Sequence, residues 1–210
     1  MKPINKSKKL FAFGENWKKF LKHLNTERIN KAEESLCEML ETDNLMKKSF
    51  LDIGSGSGLF SLAAMKLGAD KVYSFDYDEQ SVSCTSELKN KYFPNETNWI
   101  ISQGSVLDKN YLNTLGQFDI LYSWGVLHHT GNMWQSLENV YPLVKPGGKL
   151  FIAIYNDQGR KSHYWKIIKR IYNSLPDGFK FLILIPVFIR LWLPTIVRDF
   201  FYFRPFSTWK

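Results

Sequence analysis

Short apolar runs recur along the middle of the chain, and each is separated from the next by a stretch with helical spacing or a turn. Phe50 to Ile53, Lys71 to Phe75, Trp99 to Ser102, Phe118 to Ser123 and Phe151 to Tyr155 have the length and apolar character of strands. Between them, Leu59 to Leu67 repeats its apolar positions at helical spacing and closes on Gly68. A second helix is expected from an Asp78 cap to about Lys91, and a third from Asn132 to Val140. Ahead of the first strand, Trp17, Phe20, Leu21 and Leu24 share a helix face. Thr26 is placed to cap a further helix to about Leu40, with Ile29, Ala32, Leu36, Met39 and Leu40 on one side. Strands alternating with helices predict an α/β fold with a parallel, doubly wound sheet. Ligands of such sheets bind at the carboxyl ends of the strands.

The pattern changes after the fifth strand. Arg160 to Tyr172 is basic and aromatic, with Trp165, Ile168 and Ile171 or Tyr172 at helical spacing, and Pro176-Asp177-Gly178 breaks it. Phe181 to Ile189 is apolar throughout except for Pro186, and the chain ends FFYFRPFSTWK. This run is expected to be too short to span a bilayer, being interrupted by Pro186, Arg190 and Pro194. Three readings stay open: a cap over a substrate pocket, an interfacial membrane segment, or core left exposed. The basic residues Lys161, Lys166, Lys169, Arg170, Lys180, Arg190, Arg198 and Arg204, set among aromatics, favour peripheral contact with anionic lipid. Nucleic acid ranks lower as a partner, because stacking on bases would leave the apolar run without a role. The chain is thus read in three parts: residues 1–45 a helical arm or lid, 46–157 the sheet domain, and 158–210 the basic, aromatic, apolar segment.

Composition adds bounds. A chain of 210 residues with 44% hydrophobic content holds one ordinary core, and 16% aromatic content is high. A net charge of +8 suits a scattered basic face, an anionic membrane surface, an anionic substrate or RNA. Cys37 and Cys84 stand alone, which suggests neither a zinc site nor a disulfide framework and fits a reducing cytoplasm. The basic start has no long apolar core behind it, so it does not have the form of a secretory signal.

The candidate chemistry lies in FLDIGSGSGLFSLAAMKLGADKVYSFD, Phe50 to Asp76. Gly54, Gly56 and Gly58 form a strand-to-helix turn whose bare backbone admits a ligand. Asp76 ends the next strand, where a carboxylate can accept ribose hydroxyls. Dinucleotide sites use G-x-G-x-x-G; here Leu59 stands where the third of those glycines would fall. Asp52, inside the strand end, would repel a pyrophosphate but suits a cationic ligand.

The pattern D-x-G-x-G-x-G from Asp52 to Gly58 resembles the first motif of class I S-adenosylmethionine-dependent methyltransferases. The L-x-P-G-G-like turn before the fifth strand, LVKPGG, is a further mark of that family. The wording FAFGENW, SFDYD, YSWGVLHHTG and FIAIYNDQG resembles a bacterial subgroup described as ubiquinone-biosynthesis-like methyltransferases. The likeness covers about Phe50 to Asn156 and implies a Rossmann-like fold with S-adenosyl-L-methionine as cofactor. It places Gly54, Ser55 and Gly56 along the methionine portion, with Asp52 near the ammonium and Asp76 on the ribose, and counts Gly58 among the cofactor-binding residues. Tyr77, Ser105 and Val106 fall beside the adenine, and Ser123 and Trp124 beside the sulfonium. Ser105 stands where the family often has an acid. Asp78 is read as a helix cap rather than a ligand.

The likeness also makes the N-terminal aromatics Phe11, Phe13 and Trp17 candidates for a lid over the substrate, though packing on the core would place them equally well. The same family normally closes its sheet with two further strands, which are not found here, so the chain is expected to be truncated. His128 and His129 are candidate bases, since imidazole titrates near neutrality. His129 matches the histidine of quinone-ring O-methyltransferases. His163 is a weaker candidate and His23 a surface residue. No metal cluster is expected. The implied activity is methyl transfer to an oxygen or nitrogen of a small or lipid-like acceptor, a quinone or isoprenoid phenol first. The alternatives are a surface-glycan sugar and a non-catalytic module that binds cofactor or a partner; RNA methylation ranks below them.

Overall fold

Phe50, Leu51 and Ile53 are fully buried, because their strand is covered on both faces. This strand, β1 (Ser49–Ile53), pairs in parallel with β2 (Lys71–Asp76) on one side and β4 (Phe118–Trp124) on the other. The outer strands β3 (Trp99–Gln103) and β5 (Val144–Ala153) complete the order β3-β2-β1-β4-β5, five parallel strands among the described residues. The computed structural model of the chain describes residues 13–202. Phe11, the basic start of the chain and Arg204 lie outside the described residues.

The two-residue period of β1 separates two cores. Phe50 joins a cluster with Ile29, Leu36, Leu62, Val72 and Trp99, while Leu51 and Ile53 join Phe75, Leu112, Phe118, Leu121 and Val140. The first cluster is roofed by α2 (Thr26–Leu40) on α3 (Leu59–Lys66). α1 (Gly14–Lys22) packs on α4 (Glu79–Tyr92). The other face carries α5 (Lys109–Asn113) and α6 (Met133–Val140). The predicted face of α2 is buried at Ile29, Ala32, Leu36 and Leu40.

Three local expectations change. Asn25, not Thr26, caps α2, its side-chain oxygen accepting the Arg28 amide. β5 starts at Val144 rather than Phe151 and ends before Tyr155. Val144 pairs with Phe118 and Lys149 with Ile120, so the Pro146-Gly147-Gly148 stretch is a bulge inside the strand rather than a turn before it. α5 was not expected; its five residues are too few to show a period.

The chain divides into two units, Met1–Tyr155 and Asn156–Lys210. The second holds α7 (Arg160–Ser174) and α8 (Phe181–Phe201). α8 corrects the expectation of a short, interrupted apolar run. It is one helix of 21 residues passing through Pro186 and Pro194, long and apolar enough to cross a membrane. Each proline withholds one amide from the carbonyl four residues back, and the helix nevertheless continues past both.

A line of buried polar groups crosses the first unit beneath the sheet. The Trp99 indole N–H donates to Ser74 at 2.9 Å, Ser74 donates to Ser61 at 2.7 Å, and Ser61 donates to the Asp52 carboxylate. These four residues come from β3, β2, α3 and β1, and all are buried. Burial pushes the Asp52 carboxyl up to about 7, against the lowering effect of the Ser61 bond. The folded state therefore holds a proton that the unfolded chain, with an ordinary carboxyl near pH 4, has released. This contribution to stability is present in acid and falls as pH rises from about 4 to about 7. Asp76 shifts the same way through burial. At Asp119 burial is outweighed by Lys145 and Ser49, which hold the carboxyl low, so its contribution is lost only below about pH 4. Subtracting the denaturant stability of Asp52→Asn from that of wild type across pH 4.5–8 should leave a falling curve, a few kcal/mol in total by order of magnitude. A flat difference would show that Asp52 titrates as an exposed carboxyl.

Candidate functional site

The register that pairs Ile53 with Phe75 brings the turn after β1 beside the tip of β2. The amides of Gly54 and Ser55 both donate to the Phe75 carbonyl, at 2.8 and 3.1 Å. The Gly56 amide donates to Asp76 Oδ2 at 2.9 Å, and the Asp78 amide donates to Asp76 Oδ1 at 2.9 Å. Burial raises the Asp76 carboxyl above its usual range while the amides of Asp78, Gly56 and Tyr77 pull the other way. Above this floor opens a cleft of about 740 Å³ at the carboxyl ends of the strands, the size of a small-molecule site.

α1 forms part of the wall. The Gly14 amide donates to Asp78 Oδ2 at 2.8 Å, while Asp78 Oδ1 accepts the Gln80 amide and caps α4. One carboxylate thus anchors two helix starts. From there α1 brings Trp17 over Gly56, whose φ is +56° and whose missing Cβ would stand 2.9 Å from the indole. Phe13 reaches His129, with ring centroids 6.0 Å apart.

The far wall comes from the segment after β4. Trp124, Gly125 and Val126 line the cleft, and a 3-10 turn over Leu127–His129 turns His129 into it. Tyr155, just past β5, closes this side; its ring centroid is 6.3 Å from that of His129. On the β3 side, Ser105, Val106 and Leu107 border the cleft, the Ser105 hydroxyl oxygen accepting the Leu107 amide.

The cleft therefore gathers Phe13, Trp17, Gly54, Gly56, Asp76, Tyr77, Ser105, Val106, Trp124 and His129 from the sequence-based set. Five others do not line it. Asp52 points under the sheet to Ser61, so its carboxylate does not face a ligand's ammonium. Ser55 turns to α4, its hydroxyl 3.0 Å from that of Thr85. Gly58 is a packing glycine, with φ +79° and a Cβ position only 2.8 Å from Thr85 Cα. Ser123 is buried and donates to the Ile53 carbonyl, tying β4 to β1. His128 lies outside the lining with both ring nitrogens buried and unbonded among the described residues, and burial, then His129, lowers its pKa. Sequence reasoning missed Asn16, Phe60, Leu107, Val126 and Tyr155 as lining residues. All five are within one or two residues of a predicted site residue or a strand end, which is the signal that could have found them.

Residues 51–150 match the protein family described as methyltransferase domain. A ribosomal protein L11 methyltransferase of Prochlorococcus marinus is 44% identical over 91 residues, 42% of this chain and 26% of the relative. A ubiquinone biosynthesis O-methyltransferase of Coxiella burnetii is 30% identical over 136 residues, 64% of this chain and 55% of the relative. The chain thus spans between about a quarter and about half of the length of these curated relatives. A crystal structure of an S-adenosyl-L-methionine-dependent methyltransferase from Methanococcus maripaludis superposes with a TM-score of 0.56 at 20% identity, covering 80% of this chain and 76% of that one. The parallel sheet, its strand order and this superposition give the chain the Rossmann-like α/β fold of class I methyltransferases, and residues 51–150, within that sheet, are similar to the methyltransferase-domain family.

Proposed function

We propose that the chain binds S-adenosylmethionine in this cleft and transfers its methyl group to an oxygen or nitrogen of an aromatic, lipid-like acceptor, a quinone-type phenol first. The observation that carries the reading is the Asp76 carboxylate, fixed by the Gly56 and Asp78 amides at the floor of the cleft. Each of its oxygens takes one amide and keeps a lone pair for a ribose hydroxyl. The residues fit the cofactor in other respects. Gly54 and Gly56 bring turn backbone to the cleft for its amino-acid end, and Tyr77, Val106 and Leu107 offer apolar surface for a purine. Ser105 stands at the edge of that surface.

The bound cofactor supplies an electrophilic methyl group on a sulfonium. The chain's own part is to bring an acceptor into line and exclude water. Phe13, Trp17, Trp124 and Tyr155 wall the cleft with aromatic surface suited to a planar ring. His129, at the cleft, takes the proton of the acceptor hydroxyl as it is methylated. The likeness to the ubiquinone O-methyltransferase supports this acceptor class, since it extends over 64% of the chain. A protein acceptor is a second reading, supported by the higher identity of the L11 methyltransferase over a shorter stretch.

The test is transfer of labelled methyl from S-adenosylmethionine, offered with a polyprenyl catechol and separately with ribosomal protein L11. Label in the catechol supports the first reading. Label in L11 alone supports the second. Asp76→Ala, shown folded by circular dichroism, is expected to weaken S-adenosylhomocysteine binding about a hundredfold or more, the loss of two charge-assisted bonds. Unchanged affinity by calorimetry would remove Asp76 from the site. For His129→Ala the expectation is a fall in turnover of about a hundredfold or more with cofactor affinity nearly unchanged. Wild-type turnover in that variant would remove His129 as the base.

A further inference from the structure

The second unit presents a surface for which the methyltransferase reading has no use. α8 has a mean hydropathy of 1.9 over its most apolar window, and none of that window is buried. Leu182, Ile185, Phe188 and Ile189 are each about half exposed, as are most apolar side chains of the helix. A contiguous apolar surface of this kind marks an interaction site. Its neighbour α7 is opposite in character. The sequence RKSHYWKIIKRIYNS carries Arg160, Lys161, Lys166, Lys169 and Arg170 and no acidic residue.

The cations of α7 are also gathered. Lys161, Trp165 and Lys169 follow one another at four-residue spacing. With Ser162 and Lys166 they line a concavity of about 410 Å³ at the start of the helix. The acidic group near it is Asp157, 3.7 Å from Lys166, with both side chains well exposed. Three lysines against one carboxylate leave the concavity positive. Trp165 and Tyr164, both substantially exposed, are of the type that settles at the boundary of a bilayer.

We propose that α7 and α8 dock this chain on an anionic lipid bilayer, with α8 lying in the plane of the interface and the α7 lysines on lipid phosphates. Charge complementarity selects the occupant, because an apolar helix bordered by a lysine cluster matches acyl chains bordered by phosphates. Arg190 selects the orientation. It lies near the middle of α8, and a spanning helix would carry it to the bilayer midplane, the costliest depth for a charge. Here its guanidinium lies 5.6 Å from the centre of the Tyr164 ring on α7. In a helix lying flat, that same direction leads to the headgroups. The proposal stands apart from the methyltransferase reading and does not depend on it.

Flotation of the full chain with vesicles of phosphatidylcholine alone, and with about a third phosphatidylglycerol, tests it. The expected result is at least roughly tenfold tighter binding to the anionic vesicles, weakened in high salt. The triple variant Lys161→Glu, Lys166→Glu, Lys169→Glu, unchanged in circular dichroism, should lose that preference. Phe188→Glu should release the chain from both vesicle types. No binding, or equal binding to both vesicle types that the lysine variant does not alter, would overturn the proposal. So would a dimer by light scattering that ignores vesicles, since a second copy would then cover α8.

Discussion

The bond from the Gly56 amide to the Asp76 carboxylate ties the tips of two neighbouring strands together, and the cleft is built around it. It exists because β1 and β2 pair with Ile53 opposite Phe75, so the chain leaving β1 must pass over the end of β2. The Phe75 carbonyl takes two amides of the turn and Asp76 takes a third. Backbone so close to a carboxylate needs a turn with dihedrals and clearance that only glycine supplies at position 56. The fixed carboxylate is then a pre-oriented acceptor rather than a mobile surface charge. Its desolvation is offset by amides that would otherwise point into the cleft without partners.

Asp78 extends the same economy by two residues. Its side chain caps α4 and holds the first amide of α1. That contact decides where Trp17 and Phe13 stand, and so links a carboxylate on the rim to the aromatic wall opposite. Its role as a structural residue rather than a ligand follows from both bonds, although the residue also borders the cleft.

Much of this was legible in the sequence, because strand tips and glycine turns are local features. The five strands alternating with helices, the turn at Gly54 to Gly58 and the carboxylate at Asp76 all follow from spacing; the spatial order of the strands does not. Side-chain direction was less legible. Asp52 and Ser123 belong to strands at the site, but a strand alternates its faces, and both point into the sheet's underside or its seam. Ser55 and Gly58 sit within the turn yet serve its packing on α4. His128 and His129 are adjacent, and only the curl of a 3-10 turn separates the one that meets the cleft from the one that does not. The prolines of α8 read as breaks, yet the helix runs from Phe181 to Phe201 through both.

The central claim is that the cofactor binds in the cleft above the Gly56–Asp76 bond. A two-dimensional amide NMR titration of the chain with S-adenosylhomocysteine, and separately with NAD, tests it most directly. The account predicts that the Gly56 and Asp78 amides, both bonded to Asp76, shift on adding S-adenosylhomocysteine and stay in place with NAD. Shifts elsewhere that leave those two amides still, or an equal response to NAD, would contradict it.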